Sequence, residues 1–142
     1  MVKRVTGIRL ALATLLLLPL LASAAGLGRL TVTSSLGQRL RAEIEIVSLQ
    51  PGEADSLSVK LAPPEAFSQA GIELSSALIG IQFSVDNKGP RPVVRVSTSQ
   101  PVNEPFLDLL VELQWATGRL VREYTFLLDP PEHRDRVAAA RQ

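Results

Sequence analysis

From Phe106 to Leu128 the chain alternates as a β-hairpin does when one of its faces lies in a core. Leu107, Leu109, Val111, Leu113 and Trp115 occupy every second position. Successive side chains of a strand point to opposite faces, so these five share one. Phe106, Asp108, Leu110, Glu112 and Gln114 take the other face, which is mixed and expected to be wet. Ala116-Thr-Gly-Arg119 is the expected turn, with Gly118 supplying a positive φ. The return strand offers Leu120, Arg122, Tyr124, Phe126 and Leu128 on one face and Val121, Glu123, Thr125 and Leu127 on the other.

Two registers compete for this hairpin. A loop of two or four residues puts Tyr124 and Phe126 behind the apolar face and sets Glu112 opposite Glu123. A three-residue loop pairs Glu112 with Arg122 and turns Glu123 inward. Like charges facing across a wet surface cost about 0.2–1 kcal/mol, whereas an unpaired buried carboxylate costs several kcal/mol. The first register is therefore expected. Asp129-Pro130-Pro131 ends the sheet, because proline cannot donate to a strand ladder.

Further strands are legible upstream. Gly26 to Thr33 gives a short first strand with Leu30 and Val32 on one face, and Ser34 to Gln38 a turn. Leu40, Ala42, Ile44 and Ile46 alternate strictly with Arg39, Arg41, Glu43 and Glu45, a half-buried strand whose charged face reads as a solvated sheet face, with a ligand surface as the lesser reading. After a loop at 51–55, Leu57, Val59 and Leu61 mark a third strand. Pro63 to Gly71 reads as one or two helical turns opened by proline and closed by glycine, with Phe67 plugging the core. The stretch 75–85, with Leu78, Ile79, Ile81, Phe83 and Val85, is the fourth strand. Asp86-Asn-Lys-Gly-Pro90 has hairpin-loop chemistry, and Val93, Val94 and Val96 lie in the return strand. Ser97 to Pro105 crosses to the last hairpin. About seven strands, turn signals at roughly ten-residue spacing and a single short helical turn predict an all-β, antiparallel Ig-like β-sandwich. An aromatic content of 4% means that its core is built mainly from Leu, Val and Ile.

The N-terminus is an address. Lys3, Arg4 and Arg9 precede an apolar run, 10–21, and then Ala22-Ser-Ala24, the layout of a secretory signal peptide cleaved between Ala24 and Ala25. At about 12 residues the run is short of the ~20 that span a bilayer, so an uncleaved inner-membrane anchor is the lesser alternative and membrane contact is expected only if the segment is retained. The expected organisation is a signal peptide at 1–24, a β-sandwich domain at 25–130, and a flexible tail or linker at 131–142. Removing the leader takes away three cations and leaves 12 basic against 14 acidic residues. Bulk charge therefore argues against a nucleic-acid binder. The expected location is periplasmic.

Catalytic chemistry has few candidates. The chain has no cysteine and one histidine, His133, in the expected tail, which excludes a thiol nucleophile and argues against a His-dependent triad or zinc site. No metal or cofactor is implied. Glu43, Glu45, Asp108 and Glu112 could pair for glycoside cleavage, but a solvated sheet face places carboxylates at such alternating positions anyway. No enzymatic activity is expected. Trp115 could stack on a sugar, although its face assigns it to the core. The polar segment Gln100 to Pro105 is the least required by the fold. Within it Gln100, Asn103 and Glu104, braced by Pro101 and Pro105, are the candidate partner-contact residues, with a sheet-switching turn as the alternative reading.

Five segments, 26–32, 35–45, 64–72, 99–108 and 118–131, resemble in sequence and order the N-terminal periplasmic domain of the FimV/HubP (TspA-like) family. Residues 99–111 also look like a strand of the Ig-like periplasmic pilus chaperones. The family resemblance implies a non-enzymatic scaffolding or binding role in the cell envelope, linked to type IV pilus assembly and twitching motility. It implies partners among envelope or pilus-machinery proteins, with peptidoglycan or another carbohydrate as the alternative ligand. Family members continue into a LysM domain, a transmembrane helix and a long acidic part with a TPR-like end. These 142 residues contain none of them, so LysM-based peptidoglycan binding is not carried over. The chain is expected to be a single-domain relative or part of a longer hub protein.

Overall fold

Strict alternation in 39–47 and 106–127 builds the two sheets of the computed structural model, which describes residues 25–50 and 52–131. The strands are β1 (Gly26–Val32), β2 (Arg39–Val47), β3 (Ser58–Leu61), β4 (Gln82–Asp86), β5 (Val93–Pro101), β6 (Phe106–Trp115) and β7 (Gly118–Leu127), with one helix, α1 (Pro64–Ala70). Sheet order is β1-β2-β5-β4 in one layer and β3-β6-β7 in the other, every pair antiparallel. The expected seven-stranded sandwich is thus the observed fold. Its core is aliphatic: Leu40, Ile44, Val94, Val96, Leu107, Leu109, Val111 and Leu113 are buried between the layers. Phe67 on α1 is 1% exposed and closes one end, a burial of about 1.5–3 kcal/mol. Pro64 opens α1 and Gly71 ends it in the left-handed conformation. The leader with Ala24, Pro51 and the tail with His133 lie outside the described residues. Ala25 is buried in the core.

The last hairpin keeps the expected faces but slides its partners. Trp115 stands opposite Gly118, so the loop is the two residues Ala116 and Thr117. Leu109 then faces Tyr124 and Leu107 faces Phe126, while Glu112 meets Val121 rather than Glu123. The like-charge pair does not arise, since Glu123 faces Leu110. Gly118 is not in the positive-φ region. Its glycine is needed for space: a Cβ there would lie 2.6 Å from Trp115 Cζ2. Glu112, expected on the wet face, is 2% exposed. Gln114 Nε2 donates to its Oε1 at 2.9 Å and Arg119 Nη1 at 3.4 Å, and Lys60 Nζ stands 3.8 Å from Oε2. The Lys60 and Arg119 side chains are more than half exposed. Their apolar stems can cover the carboxylate while the charged ends stay in water, so it is buried but paired.

Two irregularities shape the other sheet. Between Leu27 and Leu30 of β1, Gly28 and Arg29 oppose the single residue Glu45, a β-bulge. A Cβ on Gly28 would press within 3.1 Å of Val47 and 3.2 Å of Glu45. The bulge lets Leu27 and Leu30, three positions apart, face inward together. It also turns two carbonyls toward the opposite layer. Tyr124 Oη on β7 donates to Gly28 O at 2.7 Å, and Arg122 Nη1 donates to Leu27 O. The Arg122 guanidinium lies 5.0 Å from the Tyr124 ring centroid, within cation–π range. This clasp joins the edge strands β1 and β7. The second irregularity lies between Arg39 and Arg41, opposite Thr98 to Gln100. There the buried Thr98 hydroxyl accepts from Leu40 N at 2.9 Å and donates to Gln100 O at 2.8 Å, standing in for a ladder carbonyl.

The fourth strand is shorter than its apolar pattern suggests. Ser75 Oγ accepts from Ala77 N at 3.1 Å and opens a 3-10 turn, Ser76–Leu78. Gly80 then takes φ 80°, and β4 begins only at Gln82. Leu78 is buried but Ile79 is 77% exposed. The crossing segment is also shorter than expected, because β5 runs to Pro101 and includes Gln100.

Candidate functional site

The polar segment before the last hairpin is fixed at its middle. Val102 is 1% exposed. Its N donates to Gln38 O at 2.9 Å and its O accepts from Gly37 N at 2.7 Å. Leu128 N donates to Pro105 O at 2.8 Å. Burial of Val102 and these backbone bonds, more than the flanking prolines, hold the segment. Asn103 and Glu104 remain exposed on its outside.

The turn 75–79 packs against this segment. Ser75 Oγ donates to Glu104 Oε2 at 2.7 Å, making a ridge between two shallow grooves. One, of about 420 Å³, is lined by Ser76, Ile79, Gln100, Pro101, Asn103 and Glu104 among others. The structure therefore brings the three sequence-predicted contact residues, Gln100, Asn103 and Glu104, to one depression. The other, of about 600 Å³, is lined by Glu73, Leu74, Ser75, Ser76, Glu104, Phe106 and Asp108. Ser76 and Glu104 border both grooves. Phe106 is 53% exposed, and Leu127, directly opposite it in the hairpin register, is 66% exposed.

Ile79, lining one groove, Leu74 and Phe106, lining the other, and Leu127, opposite Phe106, thus expose apolar surface in and beside the two grooves. They are four of the six large hydrophobics that are exposed among the described residues. Singly, exposed apolar residues carry no message, but a contiguous set rimmed by polar groups marks an interaction surface. Sequence reasoning had Phe106 and Leu127 off the apolar face by parity. It missed Ile79 and Leu74, because only the 3-10 turn and Gly80 lift Ile79 out of the strand pattern.

The other candidate chemistry does not converge. Glu43 and Glu45 lie on β2 and Asp108 and Glu112 on β6, in different layers. Glu43 Oε1 accepts from Arg95 Nη1 at 3.1 Å, and Asp108 Oδ1 accepts from Thr125 Oγ1 at 2.6 Å. Arg95 also binds Asp86 at 2.9 Å. The Lys88 backbone N–H first, and then the Arg95 guanidinium, hold the Asp86 carboxyl below its ordinary value of 3.8. Among the described residues no group of three or more His, Cys, Asp or Glu side chains is placed to hold a metal ion. Trp115 is half-buried against the core, its indole beside Gly118, so the tertiary structure uses it to close the hairpin. Burial raises the Tyr124 hydroxyl above its ordinary value of 10.0, with the Arg122 charge opposing. No described helix is long and apolar enough to cross a membrane.

Comparison with known proteins places this geometry. Residues 25–131 match the model of the FimV N-terminal domain, an Ig-like domain. The chain is 40% identical over 141 residues to the motility hub protein FimV of Pseudomonas aeruginosa strain PAO1, and equally to that of strain UCBPP-PA14. It is covered over 99% of its length but spans only about 15% of the length of these curated relatives. No solved structure matches the chain. With the family model covering both sheets of the sandwich, and the hub proteins aligning along nearly the whole sequence, the chain belongs to the FimV N-terminal Ig-like domain family.

Proposed function

We propose that this domain is an exported, non-enzymatic binding module of the cell envelope. It contacts envelope or pilus-machinery proteins through the paired grooves around Gln100, Asn103 and Glu104. The observation that carries this reading is the exposure of Ile79, Leu74 and Phe106 in the two grooves that flank a segment pinned by Val102. A rigid contact surface loses little conformational freedom on binding. The leader-like sequence 1–24 supports a periplasmic location, with cleavage between Ala24 and Ala25. The name of the relatives, motility hub protein, supports a role in motility and pilus assembly. Division of the carboxylates between two layers supports a binding rather than a catalytic role. Carbohydrate binding through Trp115 is the weaker reading, since the indole is engaged at Gly118.

The test is site-specific photo-crosslinking in cells. A photoreactive residue at Asn103 is expected to capture an envelope protein, and the same residue at Glu45, on the outer side of the four-stranded sheet, is not. Asn103→Ala with Glu104→Ala is expected to weaken recovery of that protein in a pull-down. Equal capture from both positions, or unchanged recovery by the double variant, removes the grooves from the reading.

A further inference from the structure

Charge is segregated along this chain in a way that bears on what the grooves receive. No Lys or Arg occurs between Lys60 and Lys88, nor between Arg95 and Arg119. Every residue lining the two grooves comes from these two stretches. The grooves consequently carry Glu73, Glu104 and Asp108 and no cation of their own. On the four-stranded sheet, by contrast, Glu43 and Asp86 share the Arg95 guanidinium. Glu104 and Asp108 instead accept hydrogen bonds from the neutral hydroxyls of Ser75 and Thr125, which orient the carboxylates without neutralising them.

We infer that the partner element seated in these grooves is a cationic, amphipathic segment of a protein, with apolar side chains flanked by Lys or Arg. This rests on the reading of the grooves as a protein-binding surface. Apolar groups fill the depressions lined by Ile79, Leu74 and Phe106, and the cations meet Glu73, Glu104 and Asp108. The acidic rim supplies electrostatic complementarity, which selects partners and speeds their encounter. It also repels an anionic lipid surface, so these exposed apolar residues are not a membrane-insertion edge. An acidic segment is rejected, because it would bring like charges together on a surface that holds no counter-charge.

Two synthetic peptides test this, identical in their Leu and Phe positions but bearing Lys and Arg in one and Glu and Asp in the other. Each is titrated into the isotopically labelled chain and followed by amide chemical shifts. The cationic peptide is expected to move the signals of Leu74, Ser76, Ile79, Glu104 and Phe106, and to bind more weakly as salt is raised. Glu104→Gln with Asp108→Asn is expected to weaken it roughly fivefold, the loss of two exposed ion pairs. Phe106→Ser is expected to weaken both the cationic peptide and any residual binding of the acidic one. These surface variants are checked for unchanged dispersion of the remaining amide signals. Equal binding of the two peptides at these residues overturns the charge inference and leaves the groove reading standing. Absence of shifts here while the Asn103 crosslink persists also overturns it. Shifts confined to Glu43 and Glu45 would place the cationic contact on the four-stranded sheet and overturn it as well. Self-association of the chain through the same residues, seen by sedimentation, would assign the surface to a second copy instead.

Discussion

Tyr124→Phe isolates one atom of the clasp between the two layers. The ring stays, so no cavity opens and the apolar contacts of Leu109 across the hairpin are retained. What is lost is the 2.7 Å hydrogen bond from Oη to Gly28 O. A typical internal hydrogen bond contributes about 1 kcal/mol net, and a buried carbonyl left without its donor adds about 1–3 kcal/mol. Gly28 O is only partly shut from water, which keeps the expected loss near the lower end, about 1–2 kcal/mol. At about 4–8 °C per kcal/mol for a domain of roughly 100 residues, Tm should fall by about 4–16 °C. The chain has a single tryptophan. Urea unfolding followed by Trp115 fluorescence should therefore show a lower midpoint with an unchanged slope. A second readout follows from the chain's having one tyrosine, since tyrosinate absorbance then reports Tyr124 alone. Its folded pKa is raised above 10.0 by burial. A raised value means that Tyr124's contribution is fully present below pH 10 and is lost as pH rises through the folded value. The wild type should weaken with alkali more than Tyr124→Phe does, so that the two stabilities converge. A midpoint change under about 0.3 kcal/mol, together with a tyrosine titrating at its ordinary pH, would refute the clasp.

Two further outcomes follow. Gly118→Ala has no backbone conformation to violate but places a methyl 2.6 Å from the Trp115 ring. It should cost about 1–3 kcal/mol and shift Trp115 emission, and the cost should largely vanish in a Trp115→Ala background; an additive double mutant would show that the ring is not the obstacle. At Asp86 the carboxyl is held below its ordinary value of 3.8, so its contribution is complete above pH 3.8 and is lost as pH falls through the lower folded value. The stability gap between wild type and Asp86→Asn should therefore close in acid, and a gap constant from pH 7 to pH 2 would rule this out.

The site was partly legible in advance. Gln100, Asn103 and Glu104 could be singled out because nothing in a strand pattern requires them, and Phe106 and Leu127 fell outside the apolar face by parity alone. The groove that Gln100, Asn103 and Glu104 line could not be read, because its other wall is the 3-10 turn at Ser76–Leu78. Ile79 continues an apolar run in the sequence, and its exposure depends on Ser75 capping that turn and Gly80 redirecting the chain. Glu112 was misplaced for a related reason. Alternation assigns a residue to a face but does not say whether that face is covered, and β6, between β3 and β7, carries neighbours on both sides whose long side chains close over it.

The sequence alone determined the number and order of the strands, their inward faces, the helical plug and the family, because alternation, proline, glycine and residue order are local properties. Tertiary structure decided the hairpin register, where the indole of Trp115 needs the space that only Gly118 leaves. It decided the β1 bulge, which a period of two does not register and which turns two carbonyls toward Tyr124 and Arg122. It also decided the grooves, whose walls lie about 30 residues apart in the chain and meet through the bond from Ser75 to Glu104. The bulge contacts and the grooves are set between segments distant in sequence, which leave no local signature, and the register by a steric fit that alternation does not encode.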